Sequence, residues 1–129
     1  MSKRVLIVDD ALIMRKRIGG IAQKAGWDVV GEASHGLEAL DLFEQHRPDL
    51  VTMDIIMPKL DGVATLRELR GRHPEARVVM VSAVDQRAKL TECVELGAID
   101  FIVKPFAEER LRKLFEKYGA DPVRPAGDP

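Results

Sequence analysis

The chain has 129 residues and a net charge of −1, with 20 basic and 21 acidic side chains, 46% apolar residues and 32% charged ones. That length suits one domain able to bury a core, the composition is globular and not disordered, and the balanced charge gives no general electrostatic pull on nucleic acid. No apolar run approaches a membrane span, only VLIV follows Lys3 and Arg4 where a signal peptide would need a longer core, and the single cysteine, Cys93, can form no internal disulfide, so the expected compartment is the reducing cytoplasm.

Short apolar runs alternate with helical patterns along the chain. Arg4–Val8 reads as a buried strand. Residues 12–25 read as a helix with Ile13, Ile18, Ile21 and Ala22 toward one side and Gly26 as its stop. Gly19 and Gly20 weaken its middle. Residues 29–33 form a second predicted strand, and Gly36–His46 a helix with Leu37, Leu40 and Phe43 as its stripe, closed off by Pro48. Residues 50–53 are a third strand, and 57–62 a loop marked by Pro58, Asp61 and Gly62. Residues 63–72 are a helix that buries Val63, Leu66 and Leu69, and 77–81 are a fourth strand. Residues 86–96 are a helix ended by Gly97, with Cys93 in its apolar pattern as a core or rim residue. Residues 100–103 are a fifth strand, and 107–118 a helix with Leu111, Leu114 and Phe115 facing in. The boundaries expected are a domain over 1–118 and a tail over 119–129, which holds Pro122, Pro125 and Pro129 and reads as disordered or as the start of a linker.

Five strand–helix repeats predict an α/β fold, a doubly wound parallel sheet with helices on both faces. Strands this apolar must be covered on both sides. Ligands of such sheets bind outside the carboxyl ends of the strands. Asp9 and Asp10 follow the first strand, Asp54 the third, Ser82 the fourth, and Lys104 with Pro105 the fifth. Taken singly, one aspartate of the first pair could cap the next helix while the other faces water. Taken together, three acids at one rim need a cation between them. Oxygen ligands without histidine or thiolate suit Mg²⁺, which leaves room for a phosphate oxygen. A metal ion, a lysine and a hydroxyl are the parts that stabilise a phosphoryl group in transfer. Neither GxGxxG nor GxxxxGK[ST] is present, so the expected acceptor is a protein carboxylate that forms an acyl phosphate. His35, His46 and His73 have no metal-site spacing, and Arg67, Arg70 and Arg72 read as a solvated face.

The motifs VLIVDD, VTMDIIMPKLDG, VVMVSA and FIVKPF stand in order at successive strand ends. Together they resemble response-regulator receiver domains, most nearly the single-domain chemotaxis type (CheY-like), over residues 3–118. The resemblance implies a five-stranded sheet in the flavodoxin-like order 2-1-3-4-5. It implies Asp54 as phosphoacceptor, and Mg²⁺ held by Asp9, Asp10, Asp54 and the backbone carbonyl of Ile56. Ser82 would bond the phosphoryl oxygen and Lys104 would pair with the phosphoryl group, while Phe101 stands at the aromatic switch position and Lys104–Pro105 at a cis bond. The donor would be a histidine kinase. The fourth helix, fifth strand and fifth helix would form the face that a downstream protein reads.

Other readings stand beside this one. VVMVSA also resembles the receiver half of a chemotaxis methylesterase. A Mg²⁺-dependent phosphatase with an aspartyl-phosphate intermediate would carry Asp-x-Asp after the first strand, where this chain has Asp9 and Asp10 adjacent. A receiver is not expected to turn over external substrates as an enzyme. Winged-helix regulators pair their receivers through Glu and Arg on the fifth helix; Arg110 and Leu114 at the matching positions favour a monomer. Ile56 and Val84 flank the acceptor site and, being apolar, are expected to lengthen the phosphoryl lifetime.

Overall fold

The computed structural model describes residues 3–83 and 85–120; the expected tail from 121 on and Val84 lie outside the described residues. In chain order the elements are β1 Arg4–Val8, α1 Leu12–Lys24, β2 Asp28–Ala33, α2 Gly36–His46 and β3 Leu50–Asp54. There follow α3 Gly62–Arg72, β4 Val78–Ala83, α4 Arg87–Glu95, β5 Asp100–Lys104 and α5 Glu108–Gly119. All pairings are parallel, and the strand order is β2-β1-β3-β4-β5. The fold class and order thus agree with expectation.

The period-two geometry of strands divides each apolar run between two cores. Leu6, Val8, Val51, Met53, Val78 and Met80 pack on one face against Leu40, Phe43, Leu66, Leu69 and Cys93 from α2, α3 and α4. Val5, Ile7, Leu50, Val79, Val81 and Ile102 face the other way, against Ile18, Ile21 and Ala22 of α1 and Leu111, Leu114 and Phe115 of α5. Trp27 closes that second layer with its indole N–H donating to the Phe115 carbonyl at 3.0 Å. Removing the fully buried Phe115 side chain would cost about 3–5 kcal/mol.

Two stripe assignments need correction. Ile13 is 84% exposed. The buried phase of α1 runs through Met14, Ile18, Ile21, Ala22 and Ala25, and Ile13 is five residues from Ile18, which puts it well round the helix. Leu37 is 51% exposed, because α2 buries Gly36, Ala39, Leu40 and Phe43 instead. Element ends also move by a residue or two: β4 begins at Val78 and reaches Ala83, and Gly119 belongs to α5.

The glycine pair in α1 is not demanded by space. A Cβ on Gly19 would make ordinary contact with Ile7 and Val29 at 3.5 and 3.8 Å, and one on Gly20 would meet nothing within 4 Å. Gly20→Ala is therefore expected to stabilise the fold by about 1 kcal/mol through helix propensity alone, read as a higher urea midpoint at unchanged slope. Cys93 is fully buried, and burial with the nearby Glu92 and Asp61 charges pushes its thiol up to about 11. Native protein should resist iodoacetamide at neutral pH and label once urea unfolds it; fast labelling of folded protein would show that α4 opens readily.

Candidate functional site

The carboxyl ends of β1, β3, β4 and β5 meet at one rim. β1 delivers Asp9, only 1% exposed, and the exposed Asp10. The Asp9 N–H continues the ladder to the Ala33 carbonyl at 3.0 Å. Its carboxylate divides its work. Oδ1 accepts from the Ala11 N–H at 2.9 Å, and Oδ2 accepts from Lys104 Nζ at 2.9 Å. Asp9 therefore makes a local turn contact and still serves the rim; α1 itself has no side-chain cap.

Asp54 ends β3 and is 7% exposed. Lys104 ends β5, ahead of a cis peptide to Pro105, and its Nζ lies 3.4 Å from Asp54 Oδ2. One carboxylate oxygen from each of Asp9, Asp10 and Asp54 falls within 4.8 Å of the others, a set that could hold a cation. Asp10 makes no ion pair among the described residues. Two of the three carboxylates share one ammonium, and the third has none among the described residues.

The charges respond to this crowding. Burial, with the Asp9 and Asp10 charges added, raises the Asp54 carboxyl above its usual range despite the opposing Lys104 charge. Burial works against the Lys104 charge, yet its hydrogen bond to Asp9 and the Asp54 and Asp9 charges raise it above the ordinary lysine value. At neutral pH the ammonium is fixed and the rim remains short of positive charge.

Ser82 lies in β4 and pairs in register with Val103; it is 1% exposed, and its Oγ has no hydrogen-bond partner among the described residues. A buried hydroxyl left alone costs about 1–3 kcal/mol. Thr52 Oγ1 is likewise buried and without a partner among the described residues, but in the interior of β3. Phe101 is 38% exposed. It lines a groove of about 330 Å³ between α4 and β5, together with Arg87, Leu90, Val94 and, at its inner end, Ser82. The Ile56 side chain is 48% exposed, and Val84 lies outside the described residues.

Other polar residues take structural places. Asp61 caps α3, its Oδ1 accepting from the Ala64 N–H at 2.9 Å. His35 caps α2 through Nδ1, and the His73 ring bonds Glu44 Oε2 at 2.7 Å. Residues that sequence reasoning missed also serve the site. Arg15 donates Nη1 to the Asp9 carbonyl at 2.8 Å while pairing with Glu32 at 3.1 Å. Gly62 lies so close to the Asp54 carbonyl that a Cβ there would overlap it. Only the Asp-Gly pair hinted at the second.

Residues 5–116 match the family described as Response regulator receiver domain. The chain is a receiver domain of that family. It is 44% identical over 117 residues to the chemotaxis protein CheY of Bacillus subtilis (strain 168), covering 91% of this chain and 98% of that protein. Among solved structures it resembles the response regulator domain of Thermotoga maritima CheB (TM-score 0.82, 35% identity, 92% and 95% of the two chains). It also resembles a chain of the CheX–CheY–BeF₃–Mg²⁺ complex from Borrelia burgdorferi (TM-score 0.81, 35% identity, 85% and 84% covered). The receiver is thus of the CheY-like kind used in two-component signalling. Among the described residues no helix is long and apolar enough to cross a membrane.

A raised Asp54 pKa has a consequence for stability. The unfolded value is about 3.9, so the folded state holds the proton more tightly. The carboxylate's penalty is absent below the unfolded value and complete once pH passes the folded one. Without divalent metal, Asp54→Asn is therefore expected to be more stable than the parent at neutral pH, with the gap closing toward about pH 4. Urea unfolding at both pH values checks this; a less stable variant at neutral pH would mean that pairing with Lys104 outweighs burial.

Proposed function

We propose that Asp54 accepts a phosphoryl group from a histidine kinase, with Mg²⁺ held by Asp9, Asp10, Asp54 and the Ile56 carbonyl, directly or through water. The observation that carries this is the shortage of positive charge at the rim: three carboxylates with oxygens within 4.8 Å of one another, and among the described residues one ammonium, Lys104, paired with two of them. The donors are hard oxygens with no histidine or thiolate among them, a set suited to Mg²⁺. That the Borrelia relative was solved with BeF₃ and Mg²⁺ supports the same reading.

In the transfer, an Asp54 carboxylate oxygen attacks phosphorus. The bond from phosphorus to the donor imidazole nitrogen breaks, its electron pair leaves with that nitrogen, and an acyl phosphate remains on Asp54. Mg²⁺, when bound, supplies positive charge against the phosphoryl oxygens. Lys104, already 3.4 Å from Asp54, adds a second cation that this chain itself holds. Ser82 gives its unused O–H to a phosphoryl oxygen. Its shift vacates the inner end of the α4–β5 groove, which Phe101 then enters from its exposed position. The α4–β5–α5 face changes shape, and a partner protein reads the change as a population shift. The domain acts on its own phosphoryl group and on no external substrate. We infer a cytoplasmic setting from the likeness to CheY, and a monomer because Leu114, at one of the two pairing positions, packs into the core of α5. Likeness to the CheB domain keeps a methylesterase setting as the second reading; the reading frame past residue 129 decides between them.

Acetyl phosphate with Mg²⁺ is expected to modify the wild type at Asp54 and to leave Asp54→Asn unlabelled, read by mass spectrometry after borohydride trapping. Label on a histidine would overturn the acceptor assignment. Lys104→Ala should still take phosphate but lose the response of the α4–β5–α5 amides.

The lifetime of the acyl phosphate follows from the apolar flank. Ile56 and Val84 can orient no attacking water, and exclusion of that water raises the hydrolytic barrier. Ile56→Asn and Val84→Glu are expected to speed decay, a tenfold change corresponding to about 1.4 kcal/mol. Decay of purified phosphoprotein measures it, and polar variants no faster than wild type would remove these side chains as the cause.

A further inference from the structure

The loop over residues 55–61 carries Ile56 across the rim, with Ile56, Pro58 and Lys59 exposed. Ile55 and Met57 anchor it in the core and Leu60 packs against that core, while Lys59 sits at φ 67°, in the left-handed region that a lysine rarely adopts. Backbone contacts hold the loop as well. At its carboxyl end the Gly62 N–H donates to the Ile55 carbonyl at 2.7 Å. Between them, the start of α2 reaches over from another part of the chain. The Gly36 N–H donates to the Leu60 carbonyl at 3.1 Å, and Leu60 in turn donates to the Pro58 carbonyl at 2.7 Å. Thr65 Oγ1 donates to the Asp61 carbonyl at 2.7 Å and approaches the Leu60 carbonyl at 3.4 Å.

The contact at Gly36 depends on the absence of a side chain. A Cβ there would overlap Thr65 Oγ1 and lie 2.5 Å from the Leu60 carbonyl oxygen and 2.9 Å from Leu60 Cβ. Two of these three atoms belong to Leu60, and its carbonyl is backbone, so the loop itself would have to move. Gly36 has no positive φ; close approach is what requires glycine here.

We propose that Gly36 is a positioning residue for the Mg²⁺ site: it docks the start of α2 on the Leu60 carbonyl and so fixes the loop that presents the Ile56 carbonyl. This rests on the Mg²⁺ site proposed above. Gly36 and Thr65 lie on helices that supply none of the carboxylates, so they offer a way to disturb metal binding with every ionic group left in place. Supporting contacts behind metal ligands are worth about 10–100-fold in affinity in general.

The test is Mg²⁺ titration of metal-free protein, followed by amide shifts well below the melting temperature, on wild type, Gly36→Ala, Thr65→Val and Gly20→Ala. Gly36→Ala is expected to weaken Mg²⁺ roughly tenfold and to shift the apo amides of residues 55–61. Thr65→Val, which removes the hydroxyl alone, should weaken it less. Gly20→Ala makes the same chemical change in open space and should bind like wild type. A merely structural role would lower the melting temperature of the variants and leave their affinity intact. If wild type shows no Mg²⁺ response, the underlying metal site fails. If wild type responds and folded Gly36→Ala binds equally well, the positioning role fails. Should Gly36→Ala not fold, Thr65→Val decides, and wild-type affinity in that variant overturns the proposal.

Discussion

The contact on which the rest depends is one ammonium shared by two carboxylates. Lys104 Nζ lies 2.9 Å from Asp9 and 3.4 Å from Asp54, and these three groups come from the ends of strands 95 and 45 residues apart in sequence from Asp9. Two like charges about 4 Å apart repel by about 4 kcal/mol at the dielectric of a protein surface. Asp9 and Asp54 can therefore share a rim only with a cation between them, and β5 must lie where its last residue can supply it. The strand order provides this: β3 lies between β1 and β4, and β5 beside β4, so lysine at the strand end spans the width of two neighbours to reach Asp9. The double-faced apolar core makes that sheet rigid enough to hold the charges in place.

Much of this was legible in the sequence because each strand ends where its polar residue begins. VLIVDD and FIVKPF are a buried run followed at once by charge, and a parallel sheet collects such ends on one side. Less was legible where a helix face had to be read from few residues. Counting apolar residues places Ile13 and Leu37 inward, but each lies in the first turn of its helix, beside the rim and short of the sheet's cover. Least legible were contacts of small residues. Nothing in the letters says that Gly36 touches Leu60 or that Arg15 holds the Asp9 carbonyl, because both depend on how the elements meet.

The helices are not equally anchored. α1 buries Ile18 and Ile21, and α5 buries Leu111, Leu114 and Phe115, whereas α4 buries Cys93 alone, and Val94 and Phe101 stand exposed. Local opening is cheapest where burial is least. Ser82 lines the α4–β5 groove together with residues of α4, so the least anchored helix lies directly next to it. In the switch proposed here, transmission needs no long path: one hydroxyl moves, and the least anchored helix lies along the space it leaves.

The charge arithmetic also explains why Lys104 alone cannot complete the proposed chemistry. An unphosphorylated rim already sets three carboxylates against one ammonium. A phosphoryl group raises the negative charge at Asp54 toward about two, and Lys104 must then turn from Asp9 toward the new oxygens. Asp9 is 1% exposed and would be left buried without its cation, an arrangement that proteins rarely tolerate. A divalent ion between Asp9, Asp10 and the acceptor relieves both sites at once. Asp10, which touches no cation among the described residues, then has a reason to be there, and the adjacent pair of aspartates after β1 becomes two thirds of a carboxylate set that only the third strand completes.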